Sequence, residues 1–179
     1  ITTITGTASD VAAVYVGGEA GTITNLGNEA VTLSGSVSIT DANLINSYTT
    51  GVVTATISVG DLSSLASLNG DNNQAFSITV TDTSVSASDI ITLEAKSGTS
   101  ITMTAVTLIT GTAAQLESIY THSDNSRLSL SSSVKLTVSD TTVSISDINN
   151  LSSKTTGNVT ATIASGTYAS LSGSLTETT

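Results

Sequence analysis

The sequence predicts an α/β repeat fold, a right-handed β/α solenoid with parallel strands and short helices. Three observations favour it. Long segments recur at a spacing of about one hundred residues, a short helix-start motif recurs seven times, and alternating strand-like segments separate these motifs. Such internal repetition is typical of architectures in which neighbouring units stack and complete one another's hydrophobic core.

The long repeat consists of two pairs of nearly identical segments. "ITGTASDVAAVY" (4–15) returns as "ITGTAAQLESIY" (109–120), an offset of 105 residues, and "TTGVVTATI" (49–57) returns as "TTGNVTATI" (155–163), an offset of 106. We therefore expect residues 1–108 to be a first super-repeat of four strand–helix units. Residues 109–179 form a partial second super-repeat, and the whole is expected to be one continuous solenoid segment of a longer chain.

The short motif is a polar residue followed by apolar residues at +1 and +4. Because an α-helix has 3.6 residues per turn, these two positions share one helix face. The polar residue is predicted to cap the helix by accepting hydrogen bonds from its first backbone N–H groups. The seven predicted caps are Asp10, Asp41, Asp61, Asp89, Gln115, Asp147 and Thr167.

Further end signals accompany the predicted helices. "TAAQ" (112–115) has the spacing of a capping box, with Gln115 three residues after Thr112. Glycines follow four of the caps by roughly ten residues, where a helix C-cap is expected. These glycines are Gly51, Gly70, Gly98 and Gly157.

The segments between the helices alternate apolar and hydroxyl residues with a period of two, which predicts half-buried strands. They are "VVTATI" (52–57), "SITVTDT" (77–83), "SITMTA" (100–105), "KLTVSD" (135–140) and "NVTATI" (158–163). Strand, helix and strand at this spacing imply parallel pairing through right-handed crossovers. A tandem array of all-β sandwich domains is the alternative.

Composition excludes several function classes. The net charge is −10 with only four Lys and Arg residues, so there is no basic surface for nucleic acid. Apolar runs are too short for membrane insertion. Ser and Thr together number 65, so hydroxyl groups rather than charges are expected to form most of the polar surface.

Calcium is the one cofactor that the sequence suggests. The densest cluster of potential oxygen ligands is "NGDNN" (69–73), and Asn69, Asp71 and Asn73 are the candidate metal ligands. A polar turn between a helix and a strand is the competing interpretation. The glycine-rich nonapeptides of repeats-in-toxin calcium solenoids are absent from the sequence.

No catalytic residues are predicted, and an enzyme is the least expected class. The single His122 is placed in a solvated loop just past a helix, and no cysteine is present. Tyr15, Tyr48 and Tyr120, which fall near the helix ends, are expected to pack beneath the helices. Rows of Thr-x-Thr, such as Thr54 with Thr56, resemble those of ice-binding proteins when they face outward from a flat solenoid.

The chain resembles giant low-complexity repeat proteins that bacteria secrete or display, notably marine cyanobacteria. The residues that carry the resemblance are "SITVTDTSVSASDI" (77–90), "VTLITGTAAQL" (106–116) and "TTGNVTATI" (155–163). It implies an acidic extracellular or cell-surface protein: an adhesin, exoprotein or surface-layer component.

The expected function is therefore a structural stalk or filament segment that provides length and a surface for adhesion. A module that binds calcium, glycans or ice, or a segment of a phage tail fibre or virion, is the alternative. The expected partners are other copies of the chain, associating end to end along the repeat axis, with surface glycans as a second class.

Overall fold

The computed structural model describes residues 1–172 and residue 175. They form two compact units. Unit 1 comprises Ile1–Val80 and Thr92–Ile101, and unit 2 comprises Thr81–Ile91 and the described part of Thr102–Thr179.

Along the described residues, each short helix is preceded by one or two strands. The strands are β1 (Thr3–Gly6), β2 (Ala30–Val37), β3 (Val53–Ile57), β4 (Ala75–Thr79), β5 (Ser84–Ser86), β6 (Ile101–Met103), β7 (Leu108–Gly111), β8 (Leu128–Leu130), β9 (Lys135–Val138) and β10 (Val159–Thr160). The helices are α1 (Ala8–Glu19), α2 (Ile39–Tyr48), α3 (Leu62–Leu65), α4 (Ala87–Glu94), α5 (Ala113–Asp124), α6 (Ile145–Lys154) and α7 (Tyr168–Ser172). Each of these seven helices contains, or directly follows, the polar residue of one predicted start motif.

The protein is α/β, with parallel strands in two sheets and short helices. In unit 1 the strands pair in the order β1-β2-β3-β4, and in unit 2 in the order β5-β7-β9-β10. Each pairing within the units is parallel. The alternative of tandem all-β sandwiches is therefore wrong, because sandwich sheets are antiparallel.

The strand register repeats at the offset of the sequence repeat. In unit 1, Thr3 of β1 lies opposite Ala30 of β2. In unit 2, Leu108 of β7 lies opposite Lys135 of β9, so both partners have moved by 105 positions. The long repeat of the sequence is therefore also a repeat of backbone hydrogen bonding.

The next pairing repeats in the same way. Val31 of β2 lies opposite Val53 of β3, and Leu136 of β9 lies opposite Val159 of β10. The first partner has moved by 105 positions and the second by 106. Unit 2 has one extra residue between these paired positions of β9 and β10. That residue lies outside the pairs, so the two strands keep the same register as β2 and β3.

Most helices start three residues earlier than the sequence motif suggests. The N-caps of α1, α2, α5 and α6 are hydroxyl residues, and the predicted caps occupy the third helical position instead. The observed caps are Thr7, Ser38, Thr112 and Ser144, which replace Asp10, Asp41, Gln115 and Asp147. Asp89 follows the same pattern, since its backbone N–H donates to Ser86 Oγ at 3.1 Å.

The hydroxyl residue caps the helix because it and the carboxylate three residues later form reciprocal hydrogen bonds. Thr7 Oγ1 accepts from the Asp10 backbone N–H at 3.2 Å and donates to the Asp10 carboxylate at 2.7 Å. The hydroxyl therefore satisfies the backbone, and the carboxylate satisfies the hydroxyl. Asp61 does cap α3, accepting from the Ser64 N–H at 2.7 Å.

The capping box predicted at residues 112–115 is confirmed. Thr112 Oγ1 accepts from the Gln115 backbone N–H, and Gln115 Oε1 accepts from the Thr112 N–H at 2.9 Å. Gln115 thus replaces the carboxylate of Asp10 with a direct bond to the cap backbone.

The core lies between the helices and one face of the strands. The residue at +1 of the motif is buried in six of the seven helices: Val11, Ala42, Leu62, Ile90, Leu116 and Ile148. In the seventh, α7, Tyr168 is instead 86% exposed, so the expected packing is not made there. In β3, Val53, Ala55 and Ile57 are buried while the two threonines between them face solvent, as the alternation predicts.

No helix among the described residues is long and apolar enough to cross a membrane.

Candidate functional site

The three candidate calcium ligands are exposed at the turn between α3 and β4. Asp71 Oδ1 accepts a hydrogen bond from the Asn73 backbone N–H at 2.9 Å, which closes a local turn. The Asn69 backbone N–H donates to Asn43 Oδ1 of α2 at 2.6 Å. The geometry therefore brings Asp71 and Asn73 together and ties Asn69 to a helix. Among the described residues no group of three or more His, Cys, Asp or Glu residues could hold a metal ion. Calcium binding by these residues stays a prediction.

A buried hydroxyl at the exit of α2 joins that helix to the residue just before β2. Thr49 is 7% exposed, and its Oγ1 donates to the Glu29 carbonyl oxygen at 2.7 Å. The same Oγ1 accepts from the Gly51 backbone N–H at 3.0 Å. Gly51 lies so close to the Glu29 carbonyl that a Cβ atom there would collide with it. We call this arrangement of hydroxyl, carbonyl and close glycine the coil clamp.

The coil clamp is repeated in unit 2. Thr155 Oγ1 donates to the Val134 carbonyl at 2.6 Å and accepts from the Gly157 N–H at 2.9 Å. A Cβ on Gly157 would likewise collide with the Val134 carbonyl. Thr155 and Val134 correspond to Thr49 and Glu29 at the 106- and 105-residue offsets.

A related arrangement follows α4, with serine in place of threonine and with the hydroxyl and the glycine approaching different carbonyls. Ser97 is fully buried, and its Oγ lies 2.9 Å from the Phe76 carbonyl and accepts from the Thr99 N–H at 3.2 Å. Here Gly98 packs against the Asn72 carbonyl of the same unit.

The predicted C-cap role of the four glycines is therefore wrong for α2 and α6. The C-caps of these helices are Thr49 and Thr155, both in extended conformation. Left-handed glycines in the described chain lie elsewhere, at Gly21, Gly27 and Gly35. Gly51 and Gly157 are required because the carbonyl of Glu29 or Val134 occupies the space of their side chains. The repeated "TTG" is the signal from which the clamp could have been predicted.

Unit 1 also contains a buried carboxylate without a counterpart in unit 2. Glu29 is 1% exposed; its Oε1 accepts from Tyr15 Oη, and its Oε2 accepts from the backbone N–H groups of Gly27 at 2.8 Å and Asn28 at 3.2 Å. Burial by itself would raise the pKa of Glu29, but these donors outweigh it and lower that pKa overall. Burial, and then the Glu29 carboxylate, raise the pKa of Tyr15, so the phenol keeps the proton that it donates.

An open cavity of about 460 Å³ lies beside this carboxylate, between the end of α1 and the loop that follows it. Tyr15 and Tyr48 line it as a stacked pair, with ring centroids 4.8 Å apart and an angle of 13° between the planes. Its other walls are glycine-rich loop backbone, Ile23, Leu26 and Glu19. The lining residues include no His, Cys, Lys or Arg, so the cavity offers an apolar and acidic surface rather than a nucleophile with its base.

Unit 2 places different chemistry at the equivalent positions. Val134 stands in place of Glu29, and Lys154 in place of Tyr48. Lys154 Nζ forms an ion pair at 2.9 Å with Asp124 Oδ2, which stands in place of Glu19. Tyr120, the counterpart of Tyr15, remains buried, and burial raises its pKa.

The structure also places the histidine and the tyrosines that the sequence singled out. His122 lies in the last turn of α5, not in a loop as expected, because that helix continues to Asp124. Tyr15 and Tyr120 are buried, in agreement with the predicted packing role.

Comparison with known proteins adds no relative. No protein-family model matches the chain, and no curated protein or solved structure matches it either.

The coil clamp predicts a graded loss of stability. Thr49→Val leaves the Glu29 carbonyl and the Gly51 N–H without their partner, which should lower the free energy of unfolding by about 1–3 kcal/mol. Gly51→Ala forces a backbone shift and should cost a similar amount, about 1–3 kcal/mol. Urea unfolding followed by circular dichroism measures both.

The control for Gly51→Ala is Gly60→Ala. A Cβ at Gly60 would meet Leu65 at 3.7 Å, an ordinary contact. This variant should be neutral or slightly stabilising. Equal losses at Gly51 and Gly60 would contradict the close-approach explanation.

Glu29 predicts a pH-dependent contribution to stability. Its folded pKa lies below its unfolded value, so the contribution is complete above the unfolded pKa and is lost as pH falls through the folded pKa. Glu29→Gln should lower the free energy of unfolding by about 1–3 kcal/mol at pH 7. The difference from the unsubstituted protein should shrink below about pH 4.3, the ordinary pKa of glutamate.

Chemical denaturation between pH 3 and pH 7 measures this difference. Glu19→Gln is the control, because it removes an exposed carboxylate from the same region. A Glu29→Gln effect that does not change with pH would contradict a charged Glu29.

Proposed function

We propose that the chain is a structural repeat segment of a large extracellular bacterial protein, of the stalk, filament or surface-layer type. In this proposal the repeats continue one another as a right-handed β/α solenoid. The observation that carries it is the recurrence of strand register and coil clamp at the offset of the sequence repeat. Because each copy of the repeat adds the same structural unit, the number of copies sets the length of the array. A spacer needs this property.

The differences between the units support a scaffold rather than a catalyst. Strand register, caps and coil clamps are kept, whereas the Glu29–Tyr15 bond and the Tyr48 ring are replaced by Val134 and Lys154 in unit 2. Replacements that maintain packing but change the chemistry are what a repeated framework tolerates. A repeated catalytic or metal centre would need the same side chains in each copy.

The surface chemistry supports an extracellular location. The chain is acidic and has no cysteine, and 65 of its 179 residues are Ser or Thr. The resemblance to secreted and displayed bacterial repeat proteins suggests an adhesin or exoprotein that holds a distal binding part away from the cell. A phage tail fibre or virion segment would use the same scaffold in a different setting.

Lengthening the array tests the structural role. A chain with one further copy of residues 1–105 placed before it should gain about 19 Å in maximum dimension, from four strand spacings of about 4.8 Å each. Small-angle X-ray scattering measures this, and circular dichroism should show unchanged secondary-structure content per residue.

The control carries a Gly/Ser extension of 105 residues, which should add disordered scattering without adding helix or strand. Growth of the repeat-extended chain into a rounder particle, without the linear increment, would contradict a spacer.

A second candidate is an ice-binding face, and one specific observation favours it. Three exposed threonines lie side by side across unit 1, since Thr5 faces Thr32 and Thr32 faces Thr54 in neighbouring parallel strands. Their spacing is that of strands in a sheet, about 4.8 Å. Such a row presents hydroxyls to a regularly ordered ligand surface.

Thermal hysteresis of the purified protein tests this candidate. Binding through the row predicts a measurable freezing-point gap that Thr32→Val reduces. Thr40→Val, an exposed threonine on α2, should leave the gap unchanged. Absence of hysteresis in the unsubstituted protein would remove the ice-binding candidate.

A further inference from the structure

The two units differ at the outer edge of one equivalent strand. β7 of unit 2 has β9 on one side and β5 on the other. β1 of unit 1 corresponds to β7 at the 105-residue offset and has β2 on the equivalent side. Among the described residues no strand pairs with the other edge of β1.

In unit 2, β5 shows how a strand pairs with the edge of β7 that is equivalent to the unpaired edge of β1. Val85 of β5 lies opposite Ile109 of β7, in parallel register. The backbone N–H groups of Thr107 and Leu108 donate to the Thr83 carbonyl at 2.9 and 3.1 Å. Thr107 Oγ1 donates to the same carbonyl at 3.0 Å.

β1 carries the same residues at the positions that receive this partner. "ITGT" at 4–7 is identical to "ITGT" at 109–112, and Thr2 supplies the hydroxyl that Thr107 supplies in unit 2. Ile1 corresponds to Val106. Ile1 is 58% exposed, whereas Val106 is fully buried.

The glycine that ends each strand is an independent observation. In unit 2 a Cβ on Gly111 would collide with Ala87 Cβ, the first residue of α4, so glycine is needed there. In unit 1 a Cβ on Gly6 would meet only Asp10 and Val11 of the following helix, at 3.5 and 3.6 Å. Gly6 therefore preserves space for a neighbour that unit 1 does not itself supply.

We propose that the outer edge of β1 is a docking site for the β5–α4 segment of another repeat of this sequence. That segment pairs parallel to β1 with Val85 opposite Ile4, and its Ala87 packs over Gly6. Main-chain hydrogen bonds supply the affinity, and the Val85 and Ala87 contacts select the register. The interface rests on the proposed function as a repeat segment and names the surface through which one repeat joins the next.

A chain extended by its own residues tests the proposal. Residues 81–105 are placed directly before Ile1, which reproduces the spacing of residues 81–105 before Val106. The extension should raise the melting temperature. It should also slow amide hydrogen exchange at Thr2 and Thr3, the counterparts of Thr107 and Leu108, by about tenfold or more, because these N–H groups gain an acceptor.

Two matched variants make the test specific. Val85→Asp within the extension places a carboxylate at a buried position and should abolish both effects. Gly6→Ala should leave the unextended chain almost unchanged, but should remove the gain in the extended chain because Ala87 occupies that space. Gly111→Ala, which meets the same contact within unit 2, should destabilise both chains.

Several results would overturn the proposal. These are unchanged exchange at Thr2 and Thr3, a gain that survives Val85→Asp, or a gain that Gly6→Ala leaves intact. The outcome is separable from the scattering test of the proposed function. Linear growth without protection at Thr2 and Thr3 would leave the spacer role standing and place the junction elsewhere. Protection without linear growth would support the docking edge and contradict the spacer.

Discussion

The rest of the structure depends on one hydrogen bond, from a buried hydroxyl at a helix exit to the carbonyl of the residue just before the preceding strand. A short helix of two or three turns is not stable by itself, so its ends must be held by tertiary contacts. Thr49 and Thr155 hold them by donating to the Glu29 and Val134 carbonyls. Each hydroxyl also accepts the N–H two residues later, so one side chain satisfies two backbone groups at the point where a helix becomes a strand.

The coil clamp explains why the strands keep their register while the loops vary. The close approach of Gly51 to the Glu29 carbonyl admits no side chain, so the entry to β3 has one position relative to β2. A parallel ladder has no tight turn to set its register, and a contact of this kind takes that role. The same contact at Gly157 preserves the register of β10 although one residue has been inserted before it.

Against this constant framework, the cluster of unit 1 is a local specialisation. The Glu29 carboxylate is buried, yet it is paired with one phenol and two backbone N–H groups, which removes the penalty of an isolated charge. The cluster holds the loop after α1 against the helix, and two of its members, Tyr15 and Gly27, line the cavity together with Tyr48. Unit 2 has Val134 in place of Glu29, and it instead forms an ion pair between Lys154 and Asp124, at the positions of Tyr48 and Glu19.

The sequence by itself determined the repeat, the number and order of the helices among the described residues, and the division of each alternating strand into an apolar and a hydroxyl face. These follow from periodicity, which is a local property of the chain. The tertiary structure shows which face is buried: in β3 it is the face of Val53, Ala55 and Ile57. Only the tertiary structure decided which atoms cap the helices and which atoms hold neighbouring strands in register. Asp10 looked like a cap because a carboxylate suits a helix start, but the Thr7 hydroxyl three residues earlier takes that position and uses Asp10 as its acceptor. Gly51 looked like a helix C-cap because of its distance from Asp41. Its role comes from the Glu29 carbonyl, a neighbour that is distant in sequence and that only folding brings close.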